Sequence, residues 1–166
     1  PIYLQSAIVL SYPKYLNLIG KELCKLIIKK INFKDIDLII SPAMGGVIIG
    51  SKVGELLGIR SIFLERVKSE LTLRRGFDIS ERSNTLVIED VITTGKSSEE
   101  CISTIEKYNA NVLGVFSIIN RSVEDISHRI QRYSLVDLKA PLYKTSELPD
   151  SLNSIPISKP GSRFLK

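Results

Sequence analysis

Glu89 and Asp90 stand side by side at the end of an apolar run, and Thr93-Thr94-Gly95-Lys96-Ser97 follows almost at once. The run before the acids, Thr85 to Ile88, is apolar and rich in β-branched residues, as a buried strand requires. The run after them, Ser98 to Tyr108, has a helical pattern, with Ile102, Ile105 and Tyr108 forming its apolar stripe. A strand that turns through small hydroxylic residues into a helix N-terminus builds an anion site. Exposed backbone N–H groups and the positive helix end hold a phosphate there. Gly95 lets the backbone approach the anion, and the neighbouring hydroxyls add donors. The two carboxylates repel a phosphate, so they must face something else; sugar hydroxyls or a metal ion are the natural counterparts.

Gly95-Lys96-Ser97 also matches the end of the loop that cradles nucleoside triphosphates, but that motif needs a glycine where this chain has Asp90. A plain strand–turn–helix junction with incidental polar residues is the other simple reading. The coincidence of paired acids, hydroxyls and glycine in one turn argues against it. Upstream lies a second junction of the same kind. Ile36 to Ile40 reads as a short strand and Ser41-Pro42-Ala43-Met44-Gly45-Gly46 as a small-residue loop. A helix follows through Leu57, with Gly58 as its C-terminal cap. A Gly-Gly turn alone is weak evidence of a site; two such junctions in a short chain are stronger.

Two basic features complete the set. Ser61 to Leu64 reads as a strand, and Glu65 to Asp78 as a polar excursion carrying Arg66, Lys68, Arg74 and Arg75 with little periodicity. This is either a solvated loop or, beside two anion sites, a mobile lid over a diphosphate. Arg121 ends another predicted strand, Val112 to Ile119, at the edge where α/β proteins bind ligands; a solvent-facing loop cation is the alternative.

The elements that must position these residues alternate between strand and helix patterns. Pro1 to Leu10 reads as extended. Lys14 to Lys30 is a helix with one buried face, given by Tyr15, Leu16, Ile19, Leu23, Leu26 and Ile27. Val123 to Arg132 is ambiguous, Tyr133 to Leu138 is a final strand, and four prolines beyond Ala140 exclude a long helix there. The alternation predicts an α/β fold with a doubly wound, mainly parallel sheet.

With 166 residues, 43% hydrophobic and 25% charged, the chain has the composition of an ordinary globular domain. No apolar run approaches the roughly 20 residues of a membrane span. Cys24 and Cys101 form neither a disulfide framework nor a zinc quartet, and His128 is the sole histidine, so a reducing, cytoplasmic setting is expected. The net charge of +5 suits nucleic acid or a polyanionic small molecule. The basic residues are scattered and few aromatics accompany them, which favours the small molecule and argues against nucleic acid.

The stretch Val87-Ile-Glu-Asp-Val-Ile-Thr-Thr-Gly-Lys-Ser97 resembles the phosphoribosyl-diphosphate (PRPP) motif of type I phosphoribosyltransferases. Thr72-Leu-Arg-Arg-Gly-Phe77 and Lys159-Pro-Gly-Ser-Arg163 are similar to segments of one branch of the orotate phosphoribosyltransferases. The resemblance implies one phosphoribosyltransferase domain over 1–166, with a small hood from its N- and C-terminal segments. The family's N-terminal helix and Ser-Gly-x-x-Ser segment have no counterpart before Ile2-Tyr3-Leu4, so that segment is expected to be missing. It implies that Glu89 and Asp90 hold the ribose hydroxyls and that Val91, Ile92, Thr93, Thr94, Gly95, Lys96 and Ser97 wrap the 5′-phosphate. Arg66 joins the PRPP contacts. Ala43, Met44, Gly45 and Gly46 form the pyrophosphate loop, Thr93 and Arg121 contact orotate, and a lid cation acts on the leaving pyrophosphate. The family's lid lysine falls on Glu70, a departure that leaves Lys68, Arg74 or Arg75 to act, with Lys68 the first candidate. The branch's two cysteines before the tail are replaced by Leu148 and Ser151. Mg²⁺ is implied as cofactor, bridging substrate oxygens with Glu89 and Asp90 as the protein's candidate contributors, and a homodimer sharing its lid across subunits is implied as the assembly. The implied reaction joins ribose 5-phosphate to orotate in pyrimidine synthesis. Two alternatives are a phosphoribosyltransferase for a purine base and a non-catalytic PRPP-sensing regulator. Arg121 disfavours the first, since purines carry no carboxylate; Glu70 lends the second some force.

Overall fold

A computed structural model describes residues 4–122 and 129–138, together with 149 and 151. Its centre is a six-stranded sheet in the order β3-β2-β1-β4-β5-β6. The strands are β1 (Leu38–Pro42), β2 (Ser61–Val67), β3 (Glu70–Leu73), β4 (Asn84–Ile92), β5 (Asn111–Asn120) and β6 (Arg132–Asp137). All neighbours pair in parallel except β2 and β3. The helices are α1 (Ser6–Leu10), α2 (Pro13–Lys30), α3 (Gly45–Leu57) and α4 (Lys96–Glu106). Among the described residues, no helix is long and apolar enough to cross a membrane.

The central strands are apolar at successive positions because both faces of the sheet are covered. Leu86, Ile88, Ile39 and Phe116 pack with Leu23 and Ile27 of α2 and with Ile49 and Val53 of α3. Val87, Ile40, Leu64 and Val115 face the other way, onto Cys101, Ile102 and Ile105 of α4. Helix α3 sits very close to the sheet because Gly46, Gly50 and Gly54 line its inner face. A Cβ on Gly46 would stand 2.6 Å from the Ile88 carbonyl, and one on Gly54 would stand 2.8 Å from that of Ile59.

The strand order reverses between β1 and β4, so the loops leaving their C-terminal ends part to opposite faces and open a crevice. Those loops are Ala43–Met44 and Thr93–Gly95, the two anion-site candidates.

Three expectations need correction. Within Pro1–Leu10, read as extended, Ser6 to Leu10 is helical. The decisive spacing is four: Ser6 and Leu10 are both buried, and Ile8 is left exposed. The excursion Glu65–Asp78 is not one long loop. Strand β2 runs on to Val67 and returns as β3, pairing Leu64 with Leu73 and Arg66 with Leu71. The signal was present in the alternation of Leu71 and Leu73 with polar neighbours; Leu71 is buried and Leu73 packs against the same core. Helix α4 begins at Lys96, two residues before the expected start, which brings Lys96 and Ser97 into its first turn. The tail Lys159–Arg163, and with it the C-terminal part of the expected hood, lies outside the described residues.

Candidate active site

Strand β4 carries Glu89 and Asp90 to the mouth of the crevice with opposite side-chain directions, as period-two alternation requires. Glu89 is 6% exposed and accepts a hydrogen bond of 2.6 Å from the hydroxyl of Ser98 in the first turn of α4. It thereby ties the strand to the helix that follows. Asp90 is more open and accepts a hydrogen bond from the hydroxyl of Ser6, the first residue of α1. Its carboxylate lies against Gly45, where a Cβ would stand 2.7 Å from Cγ and Oδ2. Asp90 therefore reaches from the end of one strand to the start of α3, the helix that opens the other anion loop.

Gly95 is the N-cap of α4 and adopts the left-handed conformation, with φ of 72°. A glycine reaches this region without the steric penalty of a side chain. Thr93 and Thr94 are exposed on the turn, and the Thr94 hydroxyl accepts a hydrogen bond of 3.4 Å from the backbone N–H of Lys96. The helix N-terminus offers further N–H groups, since no side chain caps it. Across the crevice, the start of α3 likewise has no side-chain cap, and the Ala43–Met44 peptide bond is cis.

Arg121 follows β5 directly, and its backbone N–H donates to the Ile92 carbonyl over 2.8 Å. Ile92 pairs with Asn120 in the register of the two strands. Thr93 and Arg121 thus emerge side by side from adjacent strands, as a shared contact with one ligand requires.

The basic residues of the β2–β3 hairpin divide into engaged and open. Arg66 donates to the Ser69 carbonyl and to Glu100 of α4, so it braces the hairpin against the helix. Arg75 makes two hydrogen bonds to Glu65, of 2.8 and 3.1 Å, and Arg74 stands 4.0 Å from the same carboxylate. The Arg75 guanidinium holds the Glu65 carboxyl below the usual glutamate range. Lys68 sits at the hairpin tip with Ser69, their φ angles being 47° and 79°. This is the two-residue turn that matches strand twist. Among the described residues Lys68 makes no ion pair.

Two side chains near the site escaped notice in the sequence. Ser98 lay one residue past the motif, and its burial follows from helix geometry. Arg132 begins β6, is only 10% exposed at its side chain, and reaches back to Glu99 and Gly95 at the start of α4. Nothing in local spacing marks it, because the contact spans 37 residues of chain from Gly95 to Arg132.

Comparison with known proteins bears on this arrangement. No family model matches the chain. It is 40% identical over 161 residues to the orotate phosphoribosyltransferase of Thermoanaerobacter sp. (strain X514), covering 97% of this chain and 83% of that protein. The chain belongs to the orotate phosphoribosyltransferase family. A second member, from Thermotoga maritima, is 40% identical over 164 residues, covering 99% of this chain and 86% of that protein. The fold is likewise that of phosphoribosyltransferases. The orotate phosphoribosyltransferase of Mycobacterium tuberculosis H37Rv, solved with inorganic phosphate, superposes with a TM-score of 0.68 at 16% identity, over 82% of this chain and 78% of that one.

Proposed function

We propose that this chain transfers ribose 5-phosphate from PRPP to a ring nitrogen of orotate, forming orotidine 5′-phosphate and releasing pyrophosphate, a step of pyrimidine nucleotide synthesis. One observation carries the reading. A pair of carboxylates stands between two uncapped helix N-termini, α3 and α4, at the reversal of the sheet. PRPP has the matching order: a diphosphate, a sugar with two free hydroxyls, and a 5′-phosphate.

In this reading Thr93 to Ser97 anchor the 5′-phosphate through backbone N–H groups and hydroxyls. Asp90 accepts the ribose hydroxyls, and Glu89, locked to Ser98, fixes the junction from beneath. The backbone at Ala43 to Gly46 receives the diphosphate. Arg121 pairs with the orotate carboxylate while Thr93 aligns the base. The bond from the anomeric carbon to the diphosphate oxygen breaks as the nitrogen lone pair of anionic orotate arrives, so no nucleophilic side chain is needed. Positioning and charge neutralisation supply the catalysis. Lys68, at the tip of the hairpin and without an ion-pair partner among the described residues, is the lid cation that best suits the leaving pyrophosphate.

Asp90 is a hard oxygen donor at the crevice and fits a Mg²⁺ ion that takes most of its ligands from substrate and water. Among the described residues no group of three or more acidic, histidine or cysteine side chains could hold a metal by itself. When bound, Mg²⁺ would screen the charge of the diphosphate. A homodimer sharing its lid is part of the proposal. It is supported by Met44, 80% exposed beside the site, and by the exposed Ile48 one turn along α3. The free, buried thiols of Cys24 and Cys101 suit a cytoplasmic protein.

The test is the loss of orotate absorbance with PRPP and Mg²⁺, run beside hypoxanthine and uracil. Turnover of orotate alone is expected. Turnover of hypoxanthine instead, or PRPP binding without turnover of any base, would overturn the reading.

A further inference from the structure

Arg132 is buried in an unfavourable place. Its guanidinium lies against Gly95, where a Cβ would stand 3.0 Å from Cζ and 3.2 Å from Nη2 and would collide with Nη1. Gly95 caps the N-terminus of α4, the positive end of the helix dipole, which repels a cation. Glu99, one turn into α4, takes one edge of the guanidinium through Nη2. Among the described residues, Nε and Nη1 are buried without a hydrogen-bond partner. A buried charged donor left unpaired is costly, and natural structures rarely keep one without use. Of the other charges nearby, Lys96 is cationic, Glu100 is engaged by Arg66 and Lys96, and Glu106 by Arg129. No carboxylate among the described residues is left for them, and the open side faces the start of α4, where an anion would complete the set.

We propose that Arg132 is a further binding residue for the phosphate monoester held by the Thr93–Ser97 loop, acting through Nη1 past Gly95. The glycine has no side chain to stand between them, so its absence of a Cβ serves the contact as well as the turn. A guanidinium adds two things to the N–H groups of the loop: a full positive charge and a charge-assisted hydrogen bond. The proposal rests on the reading of this loop as the 5′-phosphate site of PRPP.

The experiment measures binding of ribose 5-phosphate and of pyrophosphate, separately, by titration calorimetry to the full chain and to Arg132→Met. Ribose 5-phosphate affinity should fall by about 10- to 150-fold, the range for one charge-assisted hydrogen bond. Pyrophosphate affinity should stay within twofold, because that loop lies across the crevice. A phosphorus NMR titration should show the bound monoester releasing its second proton at higher pH in Arg132→Met than in the parent chain, since the cation favours the dianion. Equal ribose 5-phosphate affinity, or equal loss of both ligands, overturns the proposal alone. A parent chain that binds neither PRPP nor ribose 5-phosphate overturns the loop reading and this proposal together. If Arg132→Met does not fold, Glu99→Gln decides. Removing the competing carboxylate should tighten ribose 5-phosphate binding severalfold, whereas unchanged or weaker binding means that the Arg132–Glu99 pair is purely structural.

Discussion

Replacing Gly45 with alanine separates the site from the fold. Gly45 is the first residue of α3, and the added methyl would lie 2.7 Å from both Cγ and Oδ2 of Asp90. Ordinary carbon contacts begin nearer 3.5 Å, so the carboxylate must swing aside. The hydrogen bond from Ser6 would break with it. The helix itself gains, because alanine is favoured over glycine by up to about 1 kcal/mol. A displaced Asp90 forfeits at least one charge-assisted hydrogen bond to the ribose, worth about 1.5–3 kcal/mol. That corresponds to roughly 10- to 150-fold in the use of PRPP, at about 1.4 kcal/mol per tenfold. The assay is the PRPP dependence of orotate consumption, paired with the thermal unfolding midpoint. The expected result is kcat/KM for PRPP down at least tenfold with Tm unchanged or slightly raised. Gly58→Ala is the counterpart. No atom lies within 4 Å of its would-be Cβ, but its φ is +69°. It should cost about 1 kcal/mol of stability, some 2–4 °C in Tm, and leave the PRPP dependence alone. An unchanged kcat/KM for Gly45→Ala would refute the role given to Asp90.

Lys68→Ala should lower kcat by at least tenfold while KM for PRPP moves little, if its charge acts on the leaving pyrophosphate; an effect on KM alone, in steady-state kinetics, would point to another lid cation. Ser98→Ala leaves the Glu89 carboxylate, 6% exposed, without its hydroxyl donor, so denaturant unfolding should show a loss of about 1–3 kcal/mol. Burial raises the Cys24 thiol to about 11, and Cys101 is raised further. Neither should react with a thiol reagent at pH 8 in the folded protein, and both should react once it is unfolded. The Glu65 carboxyl, held down by Arg75, gives a pairing that is present above its unfolded pKa and is lost as pH falls through its lower folded value. A carboxyl-resolved NMR titration should therefore find Glu65 among the last glutamates to protonate, and Arg75→Ala should return it to the ordinary range.

What could be read in the sequence was whatever is local. The strand–loop–helix junctions at Gly45 and Gly95 were legible because each completes its signal within a dozen residues: apolar strand, small loop, periodic helix. The parallel sheet followed from their alternation. The hairpin was missed because its charged residues drew the eye from the Leu71–Leu73 alternation, and pairing with β2 decided the matter. The short α1 was missed because Ile8 and Val9 favour strands, while the burial of Ser6 and Leu10 depends on where Asp90 and α2 stand. Arg66 was a reasonable phosphate ligand by charge alone. Its pairing with Glu100, 34 residues later, is a contact that local spacing does not show.

The two junctions are built on one plan, and the plan explains why both need glycine. At each helix start a charged side chain from another element lies where a Cβ would be: Asp90 against Gly45, Arg132 against Gly95. The signs are opposite. The carboxylate at α3 suits that helix's positive end but opposes a diphosphate, so in the proposed reading Asp90 turns its free oxygen to the sugar and leaves the backbone to meet the phosphates. The guanidinium at α4 opposes the dipole and suits an anion. A single molecule laid across the reversal of the sheet would then find a phosphate site reinforced at one end and a sugar site in the middle. At the other end, charge would be balanced from outside, by the lid and by Mg²⁺. A 5′-phosphate held more tightly than the diphosphate would differ from it in the direction that transfer demands, since only the second must leave.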